Sequence, residues 1–138
     1  MAEKEKKSMS LVPTVLVPFP PPAPHVCVFT ASSQLHTVLR ILVEQAGMQV
    51  VEPSLWTDAF ACASSTAPTV VFADLDAAEG YELLRRLRLA PQMQQTTLVG
   101  LSTSASLRRR WQMQMIGARL LITPFMREEV LALLPTFP

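Results

Sequence analysis

The sequence is poor in the residues on which several common functional sites are built. Its 138 residues include only two cysteines, Cys27 and Cys62, too few for a disulfide framework and without the paired spacing of a zinc site. Neither histidine is at ligand spacing with a cysteine. Only four glycines occur, and none belongs to a glycine-rich phosphate loop. We therefore expect no metal site, and the scarcity of cysteine favours the reducing cytoplasm.

Long apolar runs are also missing. No run approaches the roughly 20 residues that a membrane helix needs, because prolines interrupt the most apolar stretch, residues 11–24. Glu3, Glu5 and the same prolines would disrupt the apolar part of a secretory signal peptide. These features predict a cytoplasmic protein that does not interact with a membrane.

Charge of one sign is scarce as well. The formal net charge is +1, and all lysines lie before residue 25, so we do not expect this chain alone to bind nucleic acid. The first 24 residues are proline-rich, which favours an extended conformation without a packed core. We predict a Pro-rich flexible tail at residues 1–24, either a tether or a peptide that a partner binds, and one domain at residues 25–138.

From residue 25 onward, short apolar segments alternate with segments of helical period. Ser32 or Ser33 is placed to cap the first helical segment, and Gly47 to end it. The pattern predicts strands at residues 26–30, 48–52, 69–74, 97–101 and 119–122, and helices at residues 35–46, 56–63, 79–90, 106–115 and 127–134. Such strand–helix units favour a doubly wound α/β fold, a five-stranded parallel sheet with helices on both faces.

Polar side chains stand where several of these strands end. Thr30 ends the first strand and Asp74 the third, whereas Ser102 follows the fourth strand and Thr123 the fifth. Ligands and chemistry gather at the carboxyl ends of the strands in a doubly wound sheet. We therefore expect a functional site at this edge of the sheet.

Three segments resemble the receiver domain of two-component response regulators. They are residues 69–74 followed by residues 80–87, the Ser102–Thr103 pair, and Gly117 and Ala118 leading to Thr123, Pro124 and Phe125. The resemblance covers about residues 25–135 and includes the order and spacing of the segments. It implies a flavodoxin-like sheet with the strand order 2-1-3-4-5.

The resemblance also assigns roles to the strand ends. In that family an aspartate after the third strand accepts a phosphoryl group, and a Ser or Thr after the fourth strand bonds to that group. Asp74 and Ser102 occupy these two positions. The family also has two acids that help hold magnesium, a lysine before Pro-Phe and an aromatic switch residue. The corresponding residues here are Thr30, Ala31 and Ser32 for the acids, Thr123 for the lysine and Leu120 for the switch.

These departures remove the charges that assist phosphoryl transfer. Magnesium is held through carboxylates and neutralises charge during the transfer, so with Asp74 alone we expect Mg²⁺ binding to be lost or weak. Asp76 lies outside the matched acid positions, and we expect it to cap the third helix or face solvent. An arginine could replace the missing lysine only if Arg119 or one of residues 108–110 bent into the site.

We interpret the chain as a degenerate pseudo-receiver, a phosphorylation-independent protein–protein interaction module in bacterial signal transduction or regulation. We expect no enzymatic activity, because Ser102 has no partner histidine at the strand ends and a hydrolytic triad would lack its base. The alternative is an atypical receiver that is phosphorylated on Asp74 and switches an output partner or a transcription-regulator domain.

A basic and apolar surface is a second candidate site. The arginines of the third and fourth helices fit either a solvated face with ion pairs to acids such as Glu82 or a docking surface for an acidic partner. The apolar residues of the fourth helix fit either the core or an interface. The resemblance implies that the fourth helix, fifth strand and fifth helix bind a protein partner or form a homodimer. The candidate interaction residues are Arg108, Arg109, Arg110, Trp111, Met115 and Arg119.

Overall fold

The computed structural model describes residues 24–51 and 58–135, in which strands and helices alternate. The longest helix in these segments has 13 residues, and none there is long and apolar enough to cross a bilayer. Residues 1–23 of the predicted tail, Glu52 and Trp56 lie outside the described residues. The elements are β1 (His25–Phe29), α1 (Ser33–Gln45), β2 (Gln49–Val51), α2 (Ala59–Thr66), β3 (Val70–Asp74), α3 (Ala78–Leu89), β4 (Thr97–Ser102), α4 (Leu107–Met115), β5 (Arg119–Ile122) and α5 (Arg127–Leu131).

The five strands form one parallel sheet in the order β2-β1-β3-β4-β5. The central strand β3 pairs with β1 on one side and β4 on the other, so that Phe72 lies between Val28 and Val99. Both the doubly wound parallel sheet and the strand order 2-1-3-4-5 are confirmed. The central strands are almost wholly apolar because helices cover both of their faces.

Local signals in the sequence account for most helix ends. The hydroxyl oxygen of Ser32 accepts a hydrogen bond from the amide of Leu35 at 3.2 Å and begins α1, and Ser106 does the same for Arg109 at the start of α4. Gly47 follows α1 with a φ of 85°, a conformation that glycine adopts without strain. The helix α5 ends at Leu131, earlier than predicted, because the chain tightens into three-residue turns before Pro135.

The side chains of the sheet alternate between two cores. Val71 and Ala73 of β3 point to the core under α2, α3 and α4, and Phe72 points to the core under α1 and α5. The apolar row of α1 is less buried than its spacing predicts, because Val38 is 45% exposed beside a cavity at the edge of the sheet. This cavity is the candidate functional site.

Cys27 is buried in β1, as its strand position predicts. Burial, together with the neighbouring Cys62 thiol, raises the pKa of Cys27 to about 12. Because only the thiolate reacts readily, Cys27 is inert at neutral pH and packs in the core as a small apolar side chain.

Candidate functional site

A cavity of about 400 Å³ lies at the carboxyl ends of the strands. One wall is polar and comes from the ends of β3, β4 and β5, and the other is apolar and comes from α1, β4 and the segment before α5. Parallel strands place these ends at one edge, as expected from the sequence. The polar residues at the strand ends are Asp74, Asp76, Ser102, Thr103 and Thr123, the apolar residues are Leu35, Val38, Leu101, Pro124 and Phe125, and the polar Ser32 and Gln34 line the cavity at the start of α1.

Asp74 ends β3 and is half-buried, and its carboxylate accepts two neutral hydrogen bonds. The hydroxyl of Thr30 donates to Oδ2 at 3.1 Å, and the backbone amide of Asp76 donates to Oδ1 at 2.9 Å. Thr30, one of the three residues that the resemblance aligns with the acid pair, thus acts as a hydrogen-bond donor to Asp74. A carboxylate there would instead have repelled Asp74 unless a cation lay between them.

Ser102 and Thr123 complete the polar wall from β4 and β5. Ser102 is 1% exposed. Thr123 hydrogen bonds to the carbonyl oxygen of Ser102, through its amide at 2.8 Å and through its hydroxyl at 3.4 Å. Thr123, which the resemblance aligns with the family's lysine, thus links the ends of β4 and β5 and brings no positive charge.

Asp76 departs in part from the expectation that it caps α3 or faces solvent. It is exposed, but it does not cap α3, which begins after Ala77 without a side-chain cap. Its carboxylate accepts hydrogen bonds from the Ser102 hydroxyl at 3.3 Å, the Thr103 amide at 3.1 Å and the Thr103 hydroxyl at 3.0 Å. The sequence contained a signal for these contacts: an aspartate two residues after Asp74, and a Ser-Thr pair at the end of the adjacent strand. This signal can be interpreted only together with the pairing of β3 and β4.

Arg109 is the arginine of the fourth helix that approaches the site. Its Nη2 lies 4.0 Å from Oδ1 of Asp76, and its Nη1 donates to the side-chain oxygen of Gln112 at 3.3 Å. Arg119 begins β5 and lines a groove with Arg88 at the opposite end of the sheet, so it does not approach Asp74. Arg109 therefore places a positive charge beside Asp76, at the rim of the site.

The donor set at this edge does not fit a magnesium ion. Mg²⁺ needs near-octahedral oxygen ligands, usually including one or two carboxylates. Asp74 is bonded by Thr30 and by a backbone amide, and the Asp76 carboxylate is engaged by β4. Within residues 24–51 and 58–135, no three His, Cys, Asp or Glu side chains come together as a metal site.

Replacement of Thr30 by aspartate should make the stability of the domain depend on magnesium. The added carboxylate would lie beside Asp74 and lower the free energy of unfolding by about 1–2 kcal/mol in metal-free buffer. About 10 mM Mg²⁺ should restore much of that loss by binding the folded state, and should leave the wild-type chain unchanged. Thermal unfolding with and without Mg²⁺ measures both effects.

Thr30→Asn is the matched control because it removes the hydroxyl without adding charge. It should be insensitive to Mg²⁺. Equal midpoints for Thr30→Asp with and without the metal would contradict this account of the site.

The outer face of α4 carries a row of exposed apolar side chains. Leu107, Trp111 and Met115 are 84%, 60% and 62% exposed, and their four-residue spacing aligns them along one side of the helix. Arg108 and Arg110 are exposed on either side of this row. We call these five residues the α4 row.

Two other residues of the candidate surface lie on β5. Arg119 is exposed at its start, whereas Leu120, which the resemblance aligns with the switch residue, is half-buried against the core under α2, α3 and α4. Arg109 differs from the other α4 arginines because it faces Asp76. The candidate interaction residues thus separate into the exposed α4 row with Arg119 and the inward-facing Arg109.

The arginines of α3 are engaged within the domain. Arg85 forms an ion pair with Glu82 at 2.6 Å, and the hydrogen bond between them lowers the pKa of Glu82 and raises the pKa of Arg85. Arg86 lies 4.3 Å above the ring centre of Phe60, and Arg88 donates to the backbone carbonyl oxygen at the end of α4 at 2.8 Å. The expected ion pair to Glu82 is present at Arg85, whereas Arg86 and Arg88 contact an aromatic ring and a backbone oxygen of the domain.

Solved receiver domains of response regulators share this architecture, and the chain has their flavodoxin-like fold. It is similar to the chemotaxis protein CheY4 of Vibrio cholerae, with 21% identity over 80% of this chain and 94% of that one and a TM-score of 0.71. A response regulator from Thermotoga maritima is 22% identical, covering 80% of this chain and 92% of that one, with a TM-score of 0.68.

A third similar structure is the receiver domain of the sensor histidine kinase PA1611 from Pseudomonas aeruginosa, which has a magnesium ion coordinated in its active-site cleft. It is 18% identical, covering 80% of this chain and 93% of that one, with a TM-score of 0.69. No family model and no curated protein matches the chain. The likeness therefore establishes the fold, and function must be argued from the site.

Proposed function

We propose that this chain is a pseudo-receiver, a cytoplasmic protein–protein interaction module of bacterial signal transduction that works without phosphorylation and without enzymatic activity. The observation that carries the proposal is the α4 row. Three large apolar side chains lie exposed along one helix face. Exposed apolar patches of this kind mark interaction sites, because a partner that covers them removes their apolar surface from water. The Pro-rich tail is proposed as a second contact.

The chemistry of the strand ends supports independence from phosphorylation. Transfer of a phosphoryl group requires cations that neutralise the charge on its oxygens. Asp74 has the neutral Thr30 hydroxyl where a metal-binding acid would stand, and Thr123 supplies no positive charge. A phosphoryl group on Asp74 would therefore lack its main electrostatic partners.

The arginines within and beside the α4 row indicate the kind of partner. Arg108 and Arg110 flank the apolar side chains, and Arg119 extends the basic character onto β5. An acidic protein surface, or a second copy of the chain that pairs its own acids with these arginines, complements them. The face formed by α4, β5 and α5 is thus the proposed interface for a protein partner or a homodimer.

The alternative is an atypical receiver that is phosphorylated on Asp74. It is favoured by one observation, the Asp74 carboxylate lining an open cavity of about 400 Å³. A titration of the full chain with Mg²⁺ and beryllofluoride, a phosphoryl mimic, separates the two by amide NMR. We expect no saturable shifts at Asp74, Ser102 or α4, and shifts spreading from Asp74 into α4 would establish the phospho-switch instead.

The interface itself is tested by sedimentation of the full chain over a range of concentrations. Trp111→Glu should weaken self-association at least about tenfold, because it removes an exposed aromatic anchor and adds a charge. Leu89→Glu is the matched control, since Leu89 is a 70% exposed apolar residue on α3. A wild-type chain that stays monomeric throughout would contradict the homodimer.

A further inference from the structure

We propose that Asp76 is a built-in anion that holds the start of the β4–α4 segment in place of a phosphoryl group. We call its contacts with Ser102 and Thr103 the Asp76 latch. The inference rests on the proposed function, because it names what would fix the α4 row without phosphorylation. It assigns to this chain's own carboxylate the Ser102 hydroxyl that, by the receiver resemblance, would bond a phosphoryl group on Asp74.

Three donors converge on one carboxylate. The hydroxyl of Ser102 bonds to Oδ1, and both the amide and the hydroxyl of Thr103 bond to Oδ2. By the receiver resemblance, Ser102 is the residue whose hydroxyl would bond a phosphoryl group on Asp74. Its hydroxyl oxygen lies 3.3 Å from Oδ1 of Asp76, so a phosphoryl group would have to compete with a resident charged acceptor.

The backbone of Asp76 is fixed where the latch requires it. Its amide donates to Oδ1 of Asp74 at 2.9 Å, and Oδ2 of Asp74 accepts from Thr30 at 3.1 Å. A continuous set of hydrogen bonds therefore runs from β1 through Asp74 and Asp76 to the end of β4. Asp74 acts in this set as a structural acceptor that orients Asp76.

The latch reaches α4 through charge. The guanidinium of Arg109 lies 4.0 Å from Oδ1 of Asp76, and its other terminal nitrogen donates to the side-chain oxygen of Gln112, a buried residue of α4 itself. The ion pair alone contributes little, because both side chains are partly exposed and screened by water. The pair instead aligns α4 with the Asp76 carboxylate, which also holds Thr103. The latch therefore sets the orientation of the α4 row.

Hydrogen exchange of the Thr103 amide, followed by NMR on the full chain, tests the latch. In Asp76→Ala this amide should exchange at least about tenfold faster than in the wild type, because it loses a charge-assisted bond. The Trp111 indole resonance should shift or broaden at the same time. Asp76→Asn, which keeps an acceptor oxygen, should give a smaller increase of about threefold.

Glu79→Ala is the matched control. Glu79 is an exposed carboxylate in the first turn of α3, outside the Asp76 latch, so its removal should change Thr103 exchange less than about twofold. Slow exchange of the Phe72 amide in every variant shows that the sheet is intact. If Asp76→Ala does not fold, the Asn variant carries the test.

Retained protection of Thr103 in the folded Asp76 variants would overturn the latch. That outcome is distinct from failure of the proposed function, which would appear as beryllofluoride-induced shifts in the α4 resonances of the wild-type chain. Rapid Thr103 exchange in Asp76→Ala together with a silent wild-type titration is the result that we expect.

Discussion

Replacement of Gly80 by alanine should lower the free energy of unfolding by at least about 3 kcal/mol. Gly80 lies in the first turn of α3, where the helix backbone packs directly on the end of β3. An added Cβ would overlap the carbonyl oxygen of Asp74 and lie 2.7 Å from its carbonyl carbon and 3.2 Å from the Cα of Leu75. Backbone atoms cannot rotate away, so α3 or the β3–α3 turn must move.

The sign of this effect is diagnostic. In an unobstructed helix position the same substitution would stabilise by about 1 kcal/mol, because alanine has a higher helix propensity than glycine. Urea unfolding measures the difference through the transition midpoint at a constant slope. A Gly80→Ala chain as stable as the wild type would contradict the close approach of α3 to β3.

Gly100→Ala provides a matched control in β4. Its Cβ would lie 2.6 Å from the Leu75 Cδ1 and from the Met113 Sδ, and both atoms belong to side chains and not to the backbone. These side chains can adopt other rotamers, so we expect a smaller loss of about 1–2 kcal/mol. If Gly100→Ala lowered the free energy of unfolding as much as Gly80→Ala does, the contact with backbone atoms would not explain the size of the Gly80 effect.

The Gly80 contact also positions the candidate site. It holds the turn that carries Asp74, Leu75 and Asp76 against the start of α3, and this turn directs the Asp76 carboxylate toward β4. A Gly80 variant that stays folded should therefore disturb the Thr103 amide as well as the stability. The glycine thus links helix packing to the geometry of the strand ends.

The sequence predicted the fold well because its signals are local. Apolar strand segments, serine caps at Ser32 and Ser106 and the turn at Gly47 each specify a short stretch of backbone without reference to the rest of the chain. The strand order is a property of the whole chain and came from the receiver resemblance. The structure confirms both.

The candidate site was predicted only in part because its decisive contacts join distant segments. Asp76 and Thr103 are separated by 27 positions, and nothing near Asp76 in the sequence distinguishes a latch from a cap. The fourth helix was ambiguous for another reason. Its apolar spacing is compatible with burial, yet Gln112 and Met113 are buried and Trp111 is exposed, because the helix presents its other face to the sheet.

Replacement of Phe72 by alanine should lower the free energy of unfolding by about 3–5 kcal/mol. Phe72 is fully buried in the central strand β3, between Val28 and Val99, and its ring fills the core under α1 and α5. Alanine would lose the apolar surface of the ring and leave a cavity that strands paired on both sides cannot close. Phe72→Leu refills most of this space and should cost much less.

Phe60→Ala compares the same chemical change at a half-exposed position. Phe60 packs on the other core and lies beneath Arg86, so its removal should cost about 1–2 kcal/mol from partial burial and one cation–π contact. Urea unfolding of the three variants ranks their stabilities directly.

Because Phe72 precedes Asp74 by two residues, a folded Phe72→Ala chain should also loosen the end of β3, and the Asp76 amide that bonds Asp74 should exchange faster. Equal losses for Phe72→Ala and Phe60→Ala would mean that the α1–α5 core does not hold the central strand, and therefore does not support the site at its end.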